Sequence, residues 1–179
     1  INADVTDYSL MKTAMTNVDY VFHLAAESRL QPAIENPIEA IVKNCVGTTT
    51  VLQCAREAGV KKLMYSSTSS GYGMNSYPNV ETQPDDCLNP YSASKVAAEK
   101  FCKMYTDLYG LKTVVFRYFN VYGERSPVFG QYAPVIGIFL KQKNEGKSLT
   151  IVGDGSQRRD FIHVKDVAAA NILLSLIHI

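Results

Sequence analysis

Apolar and polar positions alternate along this chain with two different periods, and the switching between them predicts the elements. Residues 9–16 carry Leu10, Met11 and Met15 on one side, as a short amphipathic helix does. Residues 19–24 read as a short buried strand, followed by the small pair Ala25-Ala26, where the backbone is free to approach another group closely. From residue 37 to 58 a long helical pattern appears. Ile38, Ile41, Val42, Val46, Leu52 and Ala55 trace its apolar stripe, and Gly59 closes it. Residues 62–67 form a second strand, 74–89 a polar loop with prolines, and 91–109 a helix that opens after Asn89-Pro90 and stops at Gly110. A third buried strand covers 113–118. After Gly123 the spacing changes to a helix over 132–145, a short strand over 149–152, a polar turn over 153–159 and a last helix for which Asp166 is the expected cap. Strands alternating with helices predict an α/β fold with a parallel sheet.

Candidate chemistry concentrates at the second strand and the helix that follows it. Ser66, Ser67 and Thr68 emerge at a strand's carboxyl end, where ligand sites of parallel sheets lie. Tyr91 and Lys95 are four apart at a helix start, on one face and about 5–6 Å apart at Cβ. An ammonium held near a phenol stabilises the phenolate, and a phenolate titrating closer to neutrality can take a proton from an alcohol. Tyr91 is then the expected base and Lys95 its tuner. A lone Tyr-x-x-x-Lys is also an ordinary helix face.

Further motifs, taken in order, carry a resemblance. They are Ala3-Asp4-Val5-Thr6-Asp7, Phe22-His23-Leu24-Ala25-Ala26, Asn44 with Gly47-Thr48, Tyr65 to Gly73, Tyr91 to Lys95, Arg117 to Gly123, and Gly153-Asp154-Gly155 with Arg159-Asp160-Phe161. Together they resemble the extended short-chain dehydrogenases, in particular the NAD-dependent nucleotide-sugar 4-epimerases acting on UDP-hexoses. The resemblance implies a partial Rossmann-like doubly wound sheet over residues 1–122 and the start of a smaller sugar-nucleotide-binding lobe over 123–179. It implies NAD as cofactor, a UDP-sugar as substrate, and a homodimer paired through the Tyr91 helix.

Residue roles follow from the same resemblance. Tyr91, Lys95 and Thr68 would be catalytic, with Thr68 bonding the reacting sugar hydroxyl and the tyrosine. Asp4 and Val5 would contact adenine, although Asp4 also reads as a helix cap or turn residue. Leu24, Ala25 and Ala26 would pack against ribose and phosphates, Asn44, Ser66 and Ser67 would approach the cofactor, and Phe119 would lie near the nicotinamide. Asn120 and Arg159 would hold the substrate phosphates, a guanidinium fork being suited to phosphate oxygens. Arg158 reads as a solvated charge, and His23 as a satisfied strand-end histidine. Sugar 4,6-dehydratases of this family place an Asp-Glu pair after their Thr, and UDP-glucuronate decarboxylases a nearby Glu. Here Ser69 and Ser70 stand instead, which favours epimerisation of UDP-glucose, UDP-N-acetylglucosamine or UDP-glucuronate over elimination. A non-catalytic nucleotide-binding relative is the other reading.

Composition narrows the classes. A chain of 179 residues with 46% apolar content suffices for a buried core, and a net charge of +1 gives no reason to expect nucleic acid or an anionic membrane as partner. The four cysteines have no C-x-x-C spacing and, with three histidines, no ligand cluster, so reduced thiols of a cytoplasmic protein and no metal site are expected. No leader-like stretch opens the chain, and its longest uncharged apolar run, 167–179, is shorter than the roughly 20 residues that span a bilayer. None of the 11 glycines builds a pyrophosphate-binding turn. By resemblance that turn belongs upstream of Ile1, and the chain is expected to be a fragment whose last residues, 175–179, depart from the family pattern.

Overall fold

The structure is a computed structural model that describes residues 1–128 and 133–177. Its elements run α1 (Tyr8–Ala14), β1 (Tyr20–His23), α2 (Leu30–Glu35), α3 (Pro37–Ile41), α4 (Gly47–Glu57), β2 (Lys62–Thr68), α5 (Pro90–Tyr109), β3 (Thr113–Tyr118), β4 (Asn120–Tyr122), α6 (Val135–Asn144), β5 (Phe161–His163) and α7 (Val164–Leu176). They form two compact units, one of Ile1–Arg117 with the chain from Leu173 onward, the other of Tyr118–Ile172.

In the first unit a sheet of order β1-β2-β3 carries the expected α/β architecture. β1 and β2 are parallel, with His23 opposite Tyr65. Val51, Leu52, Cys54 and Ala55 of α4, Leu63 and Tyr65 of β2, and Ala98, Cys102 and Tyr105 of α5 share one core. Lys62, buried in β2, donates its ammonium to the carbonyls of Leu174 and Ile177 and so satisfies groups that the end of α7 leaves unpaired. α5 has the boundaries its sequence announces. Asn89 accepts from the Ser92 amide at 2.8 Å, Pro90 occupies the first turn, and Gly110 closes the helix at φ +72°. No helix of the described residues is long and apolar enough to cross a membrane, and the four cysteines are free thiols.

The long helix over 37–58 departs from its expected packing. It is continuous from Pro37 to Glu57 but contains one π-type turn at Val42–Val46. Ile38, Ile41, Val42 and Val46 are exposed, while the inward side is Ala40, Asn44, Gly47 and Thr48. Small residues are needed there because the helix comes very close to its neighbours. A Cβ on Gly47 would stand 2.8 Å from Cγ2 of Val5.

Smaller differences follow the same logic of local partners. α2 has no counterpart in the periodic pattern. The cap of α1 is Asp7, which accepts from the Leu10 amide at 3.0 Å, while Asp4 makes a turn by accepting from Thr6. Asp166 lies inside the first turn of α7 and not at its cap, so it helps through the helix dipole alone.

In the second unit β4 pairs in parallel with β5, both missed by the pattern, whereas 149–152 forms no strand. That apolar run is held on α6 instead, by a reciprocal pair of hydrogen bonds between Thr150 and Gln142. The helix expected from Tyr132 begins at Val135; Tyr132 lies outside the described residues.

Candidate active site

Strand alternation sorts the three hydroxyls of β2. Tyr65 and Ser67 turn toward α5, where the Ser67 hydroxyl bonds the Glu99 carboxylate and the Tyr65 hydroxyl reaches the Lys95 carbonyl at 3.4 Å. Ser66, between them, alternates to the other face. The Ser66 hydroxyl is buried with no partner among the described residues. Thr68 ends the strand, and its oxygen accepts from the Ser70 amide at 3.1 Å, capping a tight turn over Ser69–Tyr72. Gly73 follows that turn at φ +53°, where a Cβ would meet the Asp86 carbonyl at 2.0 Å, so only glycine fits under the 74–88 loop.

Tyr91 sits half-buried in the first turn of α5. Burial raises its phenol above the ordinary range, and the neighbouring Thr68 hydroxyl works in the opposite direction. Thr68 and Tyr91 are therefore neighbours. The Lys95 ammonium lies over the ring of Tyr65, 4.3 Å from its centroid. Burial lowers the lysine to about 8.

Asn44, expected at the cofactor, is wholly buried in the π-type turn and already committed. Its oxygen accepts from the Glu27 amide at 2.8 Å, and its amide donates to the Glu27 carbonyl at 3.0 Å and to Ser94 Oγ at 2.9 Å. Ser94 in turn donates to the Tyr91 carbonyl at 2.9 Å. This chain of bonds ties the loop after β1 to the turn that carries Tyr91. Asn44→Ala should strand the two Glu27 groups and remove about 3 kcal/mol of stability, at about 1 kcal/mol per lost bond. Urea unfolding measures it, and a loss below about 0.5 kcal/mol would show that water replaces the side chain.

His23 is buried and shares a 2.9 Å bond with the Thr48 hydroxyl. Burial, with a smaller push from the Lys95 charge, lowers it to about 4. The unfolded chain, with a histidine near 6.5, binds this proton more readily than the folded one. Stability is therefore unaffected above pH ~6.5 and falls as the pH drops toward 4, by up to about 3 kcal/mol. His23→Gln should flatten that acid slope of the unfolding free energy.

Around β1, Leu24 and Ala25 are exposed and Ala26 half-buried, open to a ligand. Val5 packs its side chain against the core, leaving its backbone, and Asp4 is exposed with a carboxyl lowered by its bonds to Thr6. Phe119, Asn120 and Arg159 belong to the second unit. There the Asn120 side chain donates to the Asp160 carbonyl at 2.8 Å, and Arg159 is exposed, bonding only the Arg158 carbonyl at 2.7 Å among the described residues.

The pattern reading missed Tyr65, Ser94 and Glu99. Two signals were available: the period of two in β2, which puts Tyr65 and Ser67 on the α5 side, and the run Tyr91, Lys95, Glu99 at steps of four. A buried ammonium and a buried Ser66 hydroxyl that have no oxygen partner among the described residues, with open small residues after β1, fit a dinucleotide rich in hydroxyl and phosphate oxygens.

Comparison with known proteins agrees with that fit. Residues 1–176 match the NAD dependent epimerase/dehydratase family. A putative UDP-glucose 4-epimerase of Methanocaldococcus jannaschii is 38% identical over 176 residues, covering 97% of this chain and 57% of the relative. A UDP-glucuronate 4-epimerase of Thermodesulfobacterium geofontis is 38% identical over 172 residues, covering 94% and 52%. Among solved structures, the UDP-N-acetylglucosamine 4-epimerase from Methanobrevibacter ruminantium in complex with UDP-N-acetylmuramic acid superposes with a TM-score of 0.93 at 36% identity, over 98% of this chain and 56% of that one. The chain thus spans about half the length of the relatives it matches. With strand-end hydroxyls, the Tyr91–Lys95 helix and a match from Ile1 to Leu176, this chain belongs to the NAD dependent epimerase/dehydratase family.

Proposed function

We propose that this chain supplies the NAD-binding half, and part of the sugar-binding lobe, of an enzyme that reversibly inverts C4 of a UDP-hexose. The observation that carries the reading is the pairing of the Tyr91 phenol with the Thr68 hydroxyl at the open end of β2, one helical turn from a buried ammonium. Tyr91 takes the proton of the C4 hydroxyl and later returns it, and Thr68 bonds the same hydroxyl and orients it. When bound, NAD supplies the redox chemistry, taking up the C4 hydride and giving it back to the other face of the sugar. Lys95, with no oxygen acceptor among the described residues, serves the ribose hydroxyls of that cofactor together with Ser66. Asp4 and Val5 hold the adenine, the Leu24–Ala26 stretch packs against the ribose and phosphates, and Phe119 is the second unit's candidate for the nicotinamide. Asn120 and Arg159 bind the diphosphate of the sugar nucleotide.

Epimerisation is favoured over elimination because Ser69 and Ser70, not carboxylates, follow Thr68, and three carboxylates of this region are engaged. Glu99 is bonded by Arg117 and Ser67, Asp85 by Arg117 and Lys100, and Asp86 by the Met74 amide. Elimination across C5 and C6 requires a carboxyl group free to give up a proton. The exposed apolar side chains of Val46, at the end of the π-type turn, and of Met104 and Leu108 on α5 suit pairing with a second copy, and the free thiols suit a reducing cytoplasm.

The test is to incubate the protein carrying this sequence with NAD and, separately, UDP-glucose, UDP-N-acetylglucosamine and UDP-glucuronate, and to read the sugar protons by NMR. Appearance of the C4 epimer of one of them is the expected result. A 4-keto-6-deoxy product or carbon dioxide would replace epimerisation with a dehydratase or decarboxylase reaction.

A further inference from the structure

We propose that Tyr65 is the positioning residue for Lys95: its ring face seats the ammonium and its hydroxyl holds the same residue's backbone, so β2 fixes where the charge stands. The inference rests on the role given to Lys95 above. A buried ammonium requires a partner, and the default partner on a helix is a carboxylate four residues on. Glu99 stands there, but it is taken by Arg117, through three bonds of 2.6–3.1 Å, and by Ser67. Lys95, 3% exposed, has no oxygen acceptor among the described residues and lies 4.3 Å from the Tyr65 ring centroid, inside the roughly 6 Å range of cation–π attraction.

The seat is rigid. Tyr65 is fully buried, paired in register with His23 of β1, and its ring lies 5.6 Å from the His23 imidazole. The groups facing the ammonium are His23 from β1, Tyr65 from β2, and Glu99 and Cys102 from α5. His23 is held neutral by burial and the lysine charge, and burial keeps the Tyr65 phenol and Cys102 thiol protonated. The ring face is therefore the nearest electron-rich surface that is not already bonded to another cation. A flexible lysine is thereby kept in one orientation before any ligand arrives.

The test is the titration of the Lys95 side chain, followed by NMR in the 179-residue chain labelled at lysine Cε and Nζ, the resonance being assigned by its loss in Lys95→Met. Tyr65→Phe, which keeps the ring, should leave the midpoint within a few tenths of a pH unit. Tyr65→Leu should lower it by about one unit, the size of a desolvated cation–π contact. Because Leu does not pack like an aromatic ring, phenylalanines carrying two and then three ring fluorines at position 65 provide a second series of nearly constant shape. Stepwise lowering of the midpoint with fluorination is expected, and an unchanged midpoint across that series would overturn the proposal. In turnover, loss of the seat should lower kcat with little change in KM for the sugar nucleotide. The titration does not depend on catalysis, so a ring-dependent midpoint in a protein that fails to epimerise would retire the assigned reaction and leave the seat standing.

Discussion

Tyr91→Phe is expected to reduce turnover by about 10²–10⁴-fold while leaving NAD and sugar-nucleotide affinity within about twofold, the loss being that of one proton-transfer group. The variant keeps the ring, its half-buried place in the first turn of α5 and the Asn89 cap, so the fold has no reason to change. Only the hydroxyl beside Thr68 disappears. Direction is also fixed for the partner. Burial raises the Tyr91 phenol and Thr68 lowers it, so Thr68→Val removes the lowering influence and should move the alkaline-rising limb of the rate profile to higher pH. Activity of Thr68→Val should therefore fall most at low pH. Turnover of Tyr91→Phe at the parent rate would remove Tyr91 from the chemistry altogether.

The sheet and the Tyr91 helix were legible because their signals are local. Asn89-Pro90 and Gly110 bracket α5 by capping chemistry, and 19–24, 62–67 and 113–118 are long enough for a strand period to show. β4 and β5 have three residues each, too few for any period, and pair across some 40 positions of sequence. The apolar stripe of the long helix was misleading for a different reason. Close approach of Val5 and of the loop after β1 selects Gly47, Ala40 and Asn44 for the inside, so side-chain size and not hydrophobicity decides that face. In the site, the spacing of Tyr91 and Lys95 gives a shared helix face but does not say which way the ammonium turns. That depends on Glu99 being already engaged by Arg117, a residue that enters from another strand.

The same engagement predicts the largest effect on stability. Arg117 and Glu99 have side chains only 13% and 11% exposed, and the guanidinium meets the carboxylate through both Nε and Nη2. Arg117 also reaches Asp85 at 2.5 Å and lies over the Tyr72 ring, 4.8 Å from its centroid. Its bonds to Glu99 hold the guanidinium proton more firmly than usual, against the cost of burial. Asp85 is held below the ordinary carboxylate range because its bonds to Lys100 and Arg117 outweigh its burial. Removing one partner of a buried pair leaves an uncompensated charge, which costs about 3–5 kcal/mol. Arg117→Met should therefore lower the melting temperature by roughly 10 °C for a chain of this size. It should also release Asp85 and expose the 74–88 loop to proteolysis. Lys100→Ala, which removes only an exposed partner of Asp85, should cost less than about 1 kcal/mol. The double variant Arg117→Met, Glu99→Leu separates charge from packing. With no buried carboxylate left behind, most of the lost stability should return, because apolar replacement of both partners is close to neutral. Equal destabilisation of the single and double variants would instead mean that the guanidinium acts here by filling space between Tyr72 and α5.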